Sequence, residues 1–191
     1  MKYLFYLICF GLFTSCLRLD NNLYNASKID SYKLDNYTGE VDFRLDYSYN
    51  IPDSLIHIFT LSSKASDEEA ATKIYAIYIG SITKIATDTV IMYCHGNKDH
   101  IDFYWQRAKL LANANGKNNY GVLMIDYRGY GMSEGKPTEN GLYTDVDAAL
   151  LWLKQNGLSN ERLIIYGFSM GTAPATKIAA NNYSLKPAKL M

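Results

Sequence analysis

No excess of either charge, no disulfide framework and no bilayer-length apolar run is present in this sequence. Each absence removes a class of function. Lys plus Arg and Asp plus Glu each number 19, so the electrostatic footprint of a nucleic-acid binder is missing. There are three cysteines, Cys9, Cys16 and Cys94. The first two fall in an N-terminal targeting segment, which leaves Cys94 without a disulfide partner. Its strand-like surroundings, VIMYCHG, make it a buried and inert thiol. No C-x-x-C pair or His/Cys cluster offers a zinc site, and no cofactor is called for. Repeats and low-complexity tracts are absent. Tyrosine is abundant, with 17 residues, but these are spread along the chain in no stacking motif and read as compositional bias.

At 191 residues the chain is about one domain, long enough to bury a substantial core. It opens MKYLFYLICFGLFTSC. Lys2 gives a positive start, and Tyr3 to Phe13 an apolar stretch well short of the about twenty residues a spanning helix needs. Leu12-Phe13-Thr14-Ser15-Cys16 resembles a bacterial lipobox, in which the cysteine is lipidated and becomes the mature N-terminus. Residues 1–16 therefore read as a signal peptide with lipobox, with an ordinary secretory signal as the alternative. The expectation is an exported lipoprotein of the bacterial cell envelope, held to the membrane by lipid on Cys16.

Residues 17–53 are polar and without clear period, a tether or an N-terminal extension that packs on the domain. From Ser54 the pattern sharpens. Ser54 to Ser62 and Lys73 to Ser81 read as an antiparallel pair of strands. Asp88 to Cys94, Tyr120 to Tyr127 and the LIIY run of ERLIIYG read as strands buried on both faces. Helical patterns follow each of these, at about 100–113, 141–157 and 170–182. Strand–helix alternation predicts an α/β sheet whose later strands are parallel and joined by crossovers. PAKLM at the end reads as a strand beginning.

Chemistry concentrates in three places. Gly167-Phe168-Ser169-Met170-Gly171 is a G-x-S-x-G pentapeptide between an apolar strand and a helical pattern. Alone it is a weak signal. In this setting the turn must be tight, so Gly167 and Gly171 stand where a side chain would clash. Ser169 Oγ is then exposed at the strand end, and the Met170 N–H points at a developing oxyanion. His95-Gly96-Asn97 follows an earlier buried strand at the same edge of the sheet. The Asn97 N–H is the expected second oxyanion donor. His95 is read as a fixed loop element rather than the catalytic base. The third place is Asp126-Tyr127-Arg128-Gly129-Tyr130-Gly131-Met132-Ser133-Glu134-Gly135. Its Asp126 and Arg128 are expected to hydrogen-bond within the turn. Asp145 and Asp147 are expected to open a helix and complement its dipole, and His57 and His100 to be structural or surface residues.

Together the three motifs resemble those of the α/β-hydrolase superfamily, in the branch with HGN, DYRGYGxSxG and GxSxG motifs. That branch holds serine-aminopeptidase-like hydrolases and acyl-protein thioesterase or depalmitoylase-like enzymes. The resemblance runs from about Ser54 to Met191. It implies that Ser169 is the nucleophile, that Asn97 and Met170 supply the oxyanion hole, and that an acyl ester, thioester or amide is the small-molecule substrate. In such enzymes the acid and then the histidine follow the serine. Here the 22 residues after Ser169 contain no Asp, Glu or His. Residues 54–191 are therefore expected to be the N-terminal portion of a hydrolase domain whose later strands are missing. The alternatives are a non-catalytic hydrolase-fold lipoprotein that binds a ligand or partner, and an unstable product without function.

Overall fold

The computed structural model describes residues 23–38, 44–64 and 70–191. The signal peptide and Cys16 lie outside the described residues. The strands are β1 (Asn25–Ala26), β2 (Ile56–Ser63), β3 (Thr72–Ile79), β4 (Val90–Cys94), β5 (Lys98–Asp99), β6 (Gly121–Ile125), β7 (Leu163–Gly167) and β8 (Lys189–Leu190). The helices are α1 (Ile101–Ala112), α2 (Glu139–Gln155) and α3 (Thr172–Ala180). Six strands form one sheet in the order β2-β3-β6-β4-β7-β8, while β1 pairs separately with β5. β3 runs antiparallel to its neighbours β2 and β6, and β6, β4, β7 and β8 are parallel. β7 is thus not an edge, because β8 pairs with it at Ile164 and Ile165.

Strand alternation divides the core into two layers. In β4, Val90, Met92 and Cys94 point to one face, where they pack with Val146, Leu150, Ala175 and Ile178 of α2 and α3. Ile91 and Tyr93 point to the other face, against Ile101, Trp105 and Ala108 of α1. All five β4 residues are buried, which is why this stretch reads as continuously apolar rather than alternating. Each such side chain contributes on the order of 1.5–3 kcal/mol by leaving water. Burial pushes the Cys94 thiol well above its ordinary pKa, so it stays protonated and unreactive.

Two local expectations fail. The second helix begins at Glu139, with the Thr138 side chain accepting from the Gly141 N–H at 3.0 Å. Asp145 is therefore mid-helix and fully buried rather than at the helix start. Asp147 also lies inside the helix, where its carboxylate accepts from the Ser184 N–H at 2.7 Å. Asp126 and Arg128 also reach far outside their own turn. Asp126 Oδ1 accepts from the Ile101 N–H at 2.8 Å, so its carboxylate caps the N-terminus of α1, and Oδ2 accepts from the Tyr32 hydroxyl at 2.6 Å. Arg128 pairs with Asp145 on α2, with Nη2 to Oδ1 at 2.8 Å.

The described part of the N-terminal stretch lies against the domain. Asp102 accepts the backbone N–H groups of Lys33 and Leu34, and Lys109 pairs with Asp35 at 2.5 Å. No helix of the described residues is long and apolar enough to cross a membrane.

Candidate active site

Ser169 sits where β7 turns into α3, on a short turn of Ser169–Gly171. Its φ is +52°, a left-handed conformation that costs a non-glycine residue on the order of 1–3 kcal/mol and persists only where the surroundings impose it. The imposing contacts are visible at the two glycines. A Cβ on Gly171 would lie 2.0 Å from the Cys94 carbonyl oxygen, and one on Gly167 would lie 2.7 Å from Thr172 Cα. Glycine at both positions lets the serine turn pack directly on the end of β4, and the Phe168 N–H donates to the Cys94 carbonyl at 3.0 Å. Ser169 is left exposed.

The His95–Asn97 loop leaves the end of β4 beside this turn. A Cβ on Gly96 would lie 3.4 Å from Ser169 Cβ, so the loop backbone meets the serine at van der Waals range. Asn97, Ser169 and Met170 line one cavity of about 450 Å³, within the size range of small-molecule sites. Leu142, Tyr143 and Ala173 form much of its apolar wall. Tyr143 donates to Glu139 at 2.7 Å, and burial, then that bond, pushes its hydroxyl up to about 12, so it remains a neutral donor.

The histidine rings lie against other groups than Ser169, and His95 Nε2 and His100 Nδ1 are buried without a hydrogen-bond partner among the described residues. The His95 ring is fully buried, with Nδ1 2.8 Å from the Gly96 carbonyl and Nε2 3.5 Å from Asp126 Oδ1. It stacks on Tyr104 and packs against Tyr127. His57 Nε2 meets the Gly80 carbonyl at 3.1 Å, and His100 Nδ1 lies 3.8 Å from Asp102. His95 thus holds its own loop through Gly96 and packs against Tyr127 and Tyr130 of the third motif.

Tyr130 was not singled out by the sequence. Its hydroxyl donates to Asn97 Oδ1 at 2.6 Å and reaches Met170 Sδ at 3.9 Å. It therefore joins the third motif to both residues expected at the oxyanion hole. The repeated Gly-x-Gly around Tyr130 was the available signal, because Gly129 and Gly131 both take positive φ to present it. Leu23 and Tyr24, which line the same cavity, carried no signal at all.

A family model described as the alpha/beta hydrolase fold matches residues 89–189, just over half of the chain. This chain belongs to the alpha/beta hydrolase fold family. The human alpha/beta hydrolase domain-containing protein 17B is 38% identical over 91 residues, which are 47% of this chain and 31% of that protein. The chain therefore matches about a third of the length of this curated relative. Among solved structures, an alpha-beta hydrolase from Vibrio vulnificus superposes with a TM-score of 0.53 at 26% identity, over 70% of this chain and 44% of the other. An esterase from Exiguobacterium antarcticum gives 0.51 at 25% identity, over 69% and 42%. In alpha/beta hydrolases of known mechanism the G-x-S-x-G serine sits on a strained strand-to-helix turn, which is the conformation of Ser169.

Proposed function

We propose that Ser169 is the nucleophile of a serine hydrolase acting on acyl esters, thioesters or amides. The observation that carries this reading is the left-handed, exposed serine on a turn forced tight by Gly167 and Gly171. Its Oγ attacks the acyl carbonyl carbon, and its proton passes to a base. The negative charge that develops on the carbonyl oxygen is met by the N–H groups of Met170 and Asn97. Collapse expels the alcohol, thiol or amine, which takes up the proton, and leaves an acyl group on Ser169. Water then attacks that ester and restores the serine. The similarity to an esterase supports this class of substrate.

The base is the open part of the relay. The histidine ring nitrogens just described face Gly80, Gly96, Asp102 and Asp126, so among the described residues none is placed as a base for Ser169. Without a base, acylation slows by a factor on the order of 10⁴ or more. A fluorophosphonate probe is therefore expected to label this chain slowly, at Ser169 alone, and Ser169→Ala abolishes the label. Rapid labelling would contradict the unassisted serine. Complete absence of labelling would favour the second reading, a hydrolase-fold protein that binds a ligand or partner without turnover.

We further propose that the protein is exported and held at a membrane by lipid on Cys16. Cys16→Ser is expected to move it from the membrane to the soluble fraction on centrifugation, and continued sedimentation with membranes would sink the lipid anchor.

A further inference from the structure

Leu23 and Tyr24 line the Ser169 cavity although they lie more than a hundred residues away in sequence. A side chain holds them there. Asn97 Nδ2 donates to the Leu23 carbonyl at 2.7 Å, and Asn97 Oδ1 accepts from the Asn25 N–H at 2.9 Å. One amide thus takes the place of a neighbouring strand. The Tyr130 hydroxyl adds a second donor to Oδ1 at 2.6 Å. With two donors on the oxygen, the NH₂ end of the amide is set towards Leu23. Past this clasp, β1 pairs in parallel with β5, and the Gly131 N–H donates to the Ser27 carbonyl at 2.7 Å. The segment is therefore fastened to both loops that flank Ser169. Tyr24 packs on the core, yet Leu23 remains 56% exposed.

The cavity that this segment walls is apolar. Leu23, Leu142, Met170 and Ala173 line it with Tyr24 and Tyr143, and no Lys or Arg is among its described lining residues. The one carboxylate among its described lining residues, Glu139, already accepts the Tyr143 hydroxyl. Among the described residues such a wall suits a hydrocarbon chain and offers no counter-charge to an acidic group.

We infer that Leu23–Asn25 is a specificity strap, in which Leu23 and Tyr24 grip the hydrocarbon chain of an acyl group and Asn97 is the positioning residue that holds the strap. The direction of the chain, with its carbonyl at Ser169, rests on the nucleophile reading above; the grip itself needs no turnover. Acyl groups several carbons long are selected over acetyl. The side-chain role of Asn97 is separate from its backbone N–H, which every substitution except proline keeps.

The test is calorimetric binding of octanamide and butanamide to the full chain carrying Ser169→Ala. Each methylene moved from water to the apolar wall is worth about fourfold in Kd, and octanamide is expected to bind about tenfold or more tighter than butanamide. Leu23→Trp obstructs the cavity from an exposed position and leaves the core untouched. Asn97→Ala releases the strap. Each is expected to reduce the preference to about threefold or less, while Leu23→Met retains it. No preference in the parent chain overturns the strap, and so does an undiminished preference in Leu23→Trp and Asn97→Ala. A chain that shows the strap-dependent preference but resists fluorophosphonate keeps the strap and removes the hydrolase reading.

Discussion

Gly171→Ala is expected to destabilise the protein by about 3 kcal/mol and to eliminate fluorophosphonate labelling of Ser169. The added methyl would stand 2.0 Å from the Cys94 carbonyl oxygen and 2.5 Å from both the Cys94 carbonyl carbon and the His95 carbonyl oxygen. These are backbone atoms at the end of β4, which is hydrogen-bonded to β6 and β7. No side-chain rotation can relieve such a clash. Either the serine turn lifts off β4 or β4 moves with both its neighbours. Lifting the turn gives up the Phe168 N–H bond to Cys94 and releases Ser169 from the left-handed conformation that exposes it. Stability and site are therefore lost together, unlike in Ser169→Ala, which should fold normally and lose only the label. Urea denaturation of the two variants beside the parent separates these outcomes. A Gly171→Ala protein as stable as the parent would show that the turn is not pressed on β4.

The same glycine shows what can be read from sequence. A G-x-S-x-G between an apolar strand and a helix marks a tight turn by residue type alone, although the contact that requires glycine at 171 is with the backbone of Cys94 and His95, far away in sequence. β4, β6 and β7 were legible for a related reason: a strand covered on both faces must be apolar at consecutive positions, as Val90–Cys94 and Gly121–Ile125 are. The failures at Asp126 and Arg128 are long-range. Asp126 and Arg128 look like turn residues because their neighbours are glycines, but their partners are Ile101, 25 residues earlier, and Asp145, 17 residues later. The start of the second helix fails locally: its apolar spacing runs through Val146, Leu150 and Leu153, which sets Asp145 close to the helix start. The Thr138-Glu139 pair, a capping residue followed by a first-turn acid, marked the true start. β1 had no readable signal: two exposed residues, Asn25 and Ala26, bury nothing and owe their place to Asn97 and β5.

Replacement of Asp145 is expected to have the largest effect on stability. Asp145 is fully buried, and Arg128 is 7% exposed. Asp145 Oδ1 takes Arg128 Nη2 at 2.8 Å, and Oδ2 takes the Arg128 backbone N–H at 2.7 Å. Arg128 Nη2 also donates to Ser63 Oγ on β2 and Thr144 Oγ1 on α2. One guanidinium therefore ties the motif turn to a sheet strand and a helix. Removing only the carboxylate strands a buried cation and an unpaired N–H, and breaking a buried pair in this way costs about 3–5 kcal/mol. Asp145→Ala is expected to lose that much in urea denaturation. Replacing both partners removes the stranded charge, so Arg128→Met with Asp145→Leu should regain more than half of the loss. The turn would still be released from α2 in the double variant. Tyr130, two residues beyond Arg128, holds Asn97, so the double variant should recover stability while binding octanamide less selectively. If Asp145→Ala costs less than about 1 kcal/mol, a surface-like value, the pair is not anchoring the turn. If the double variant regains stability and selectivity alike, Arg128 contributes to the fold but not to the position of Asn97.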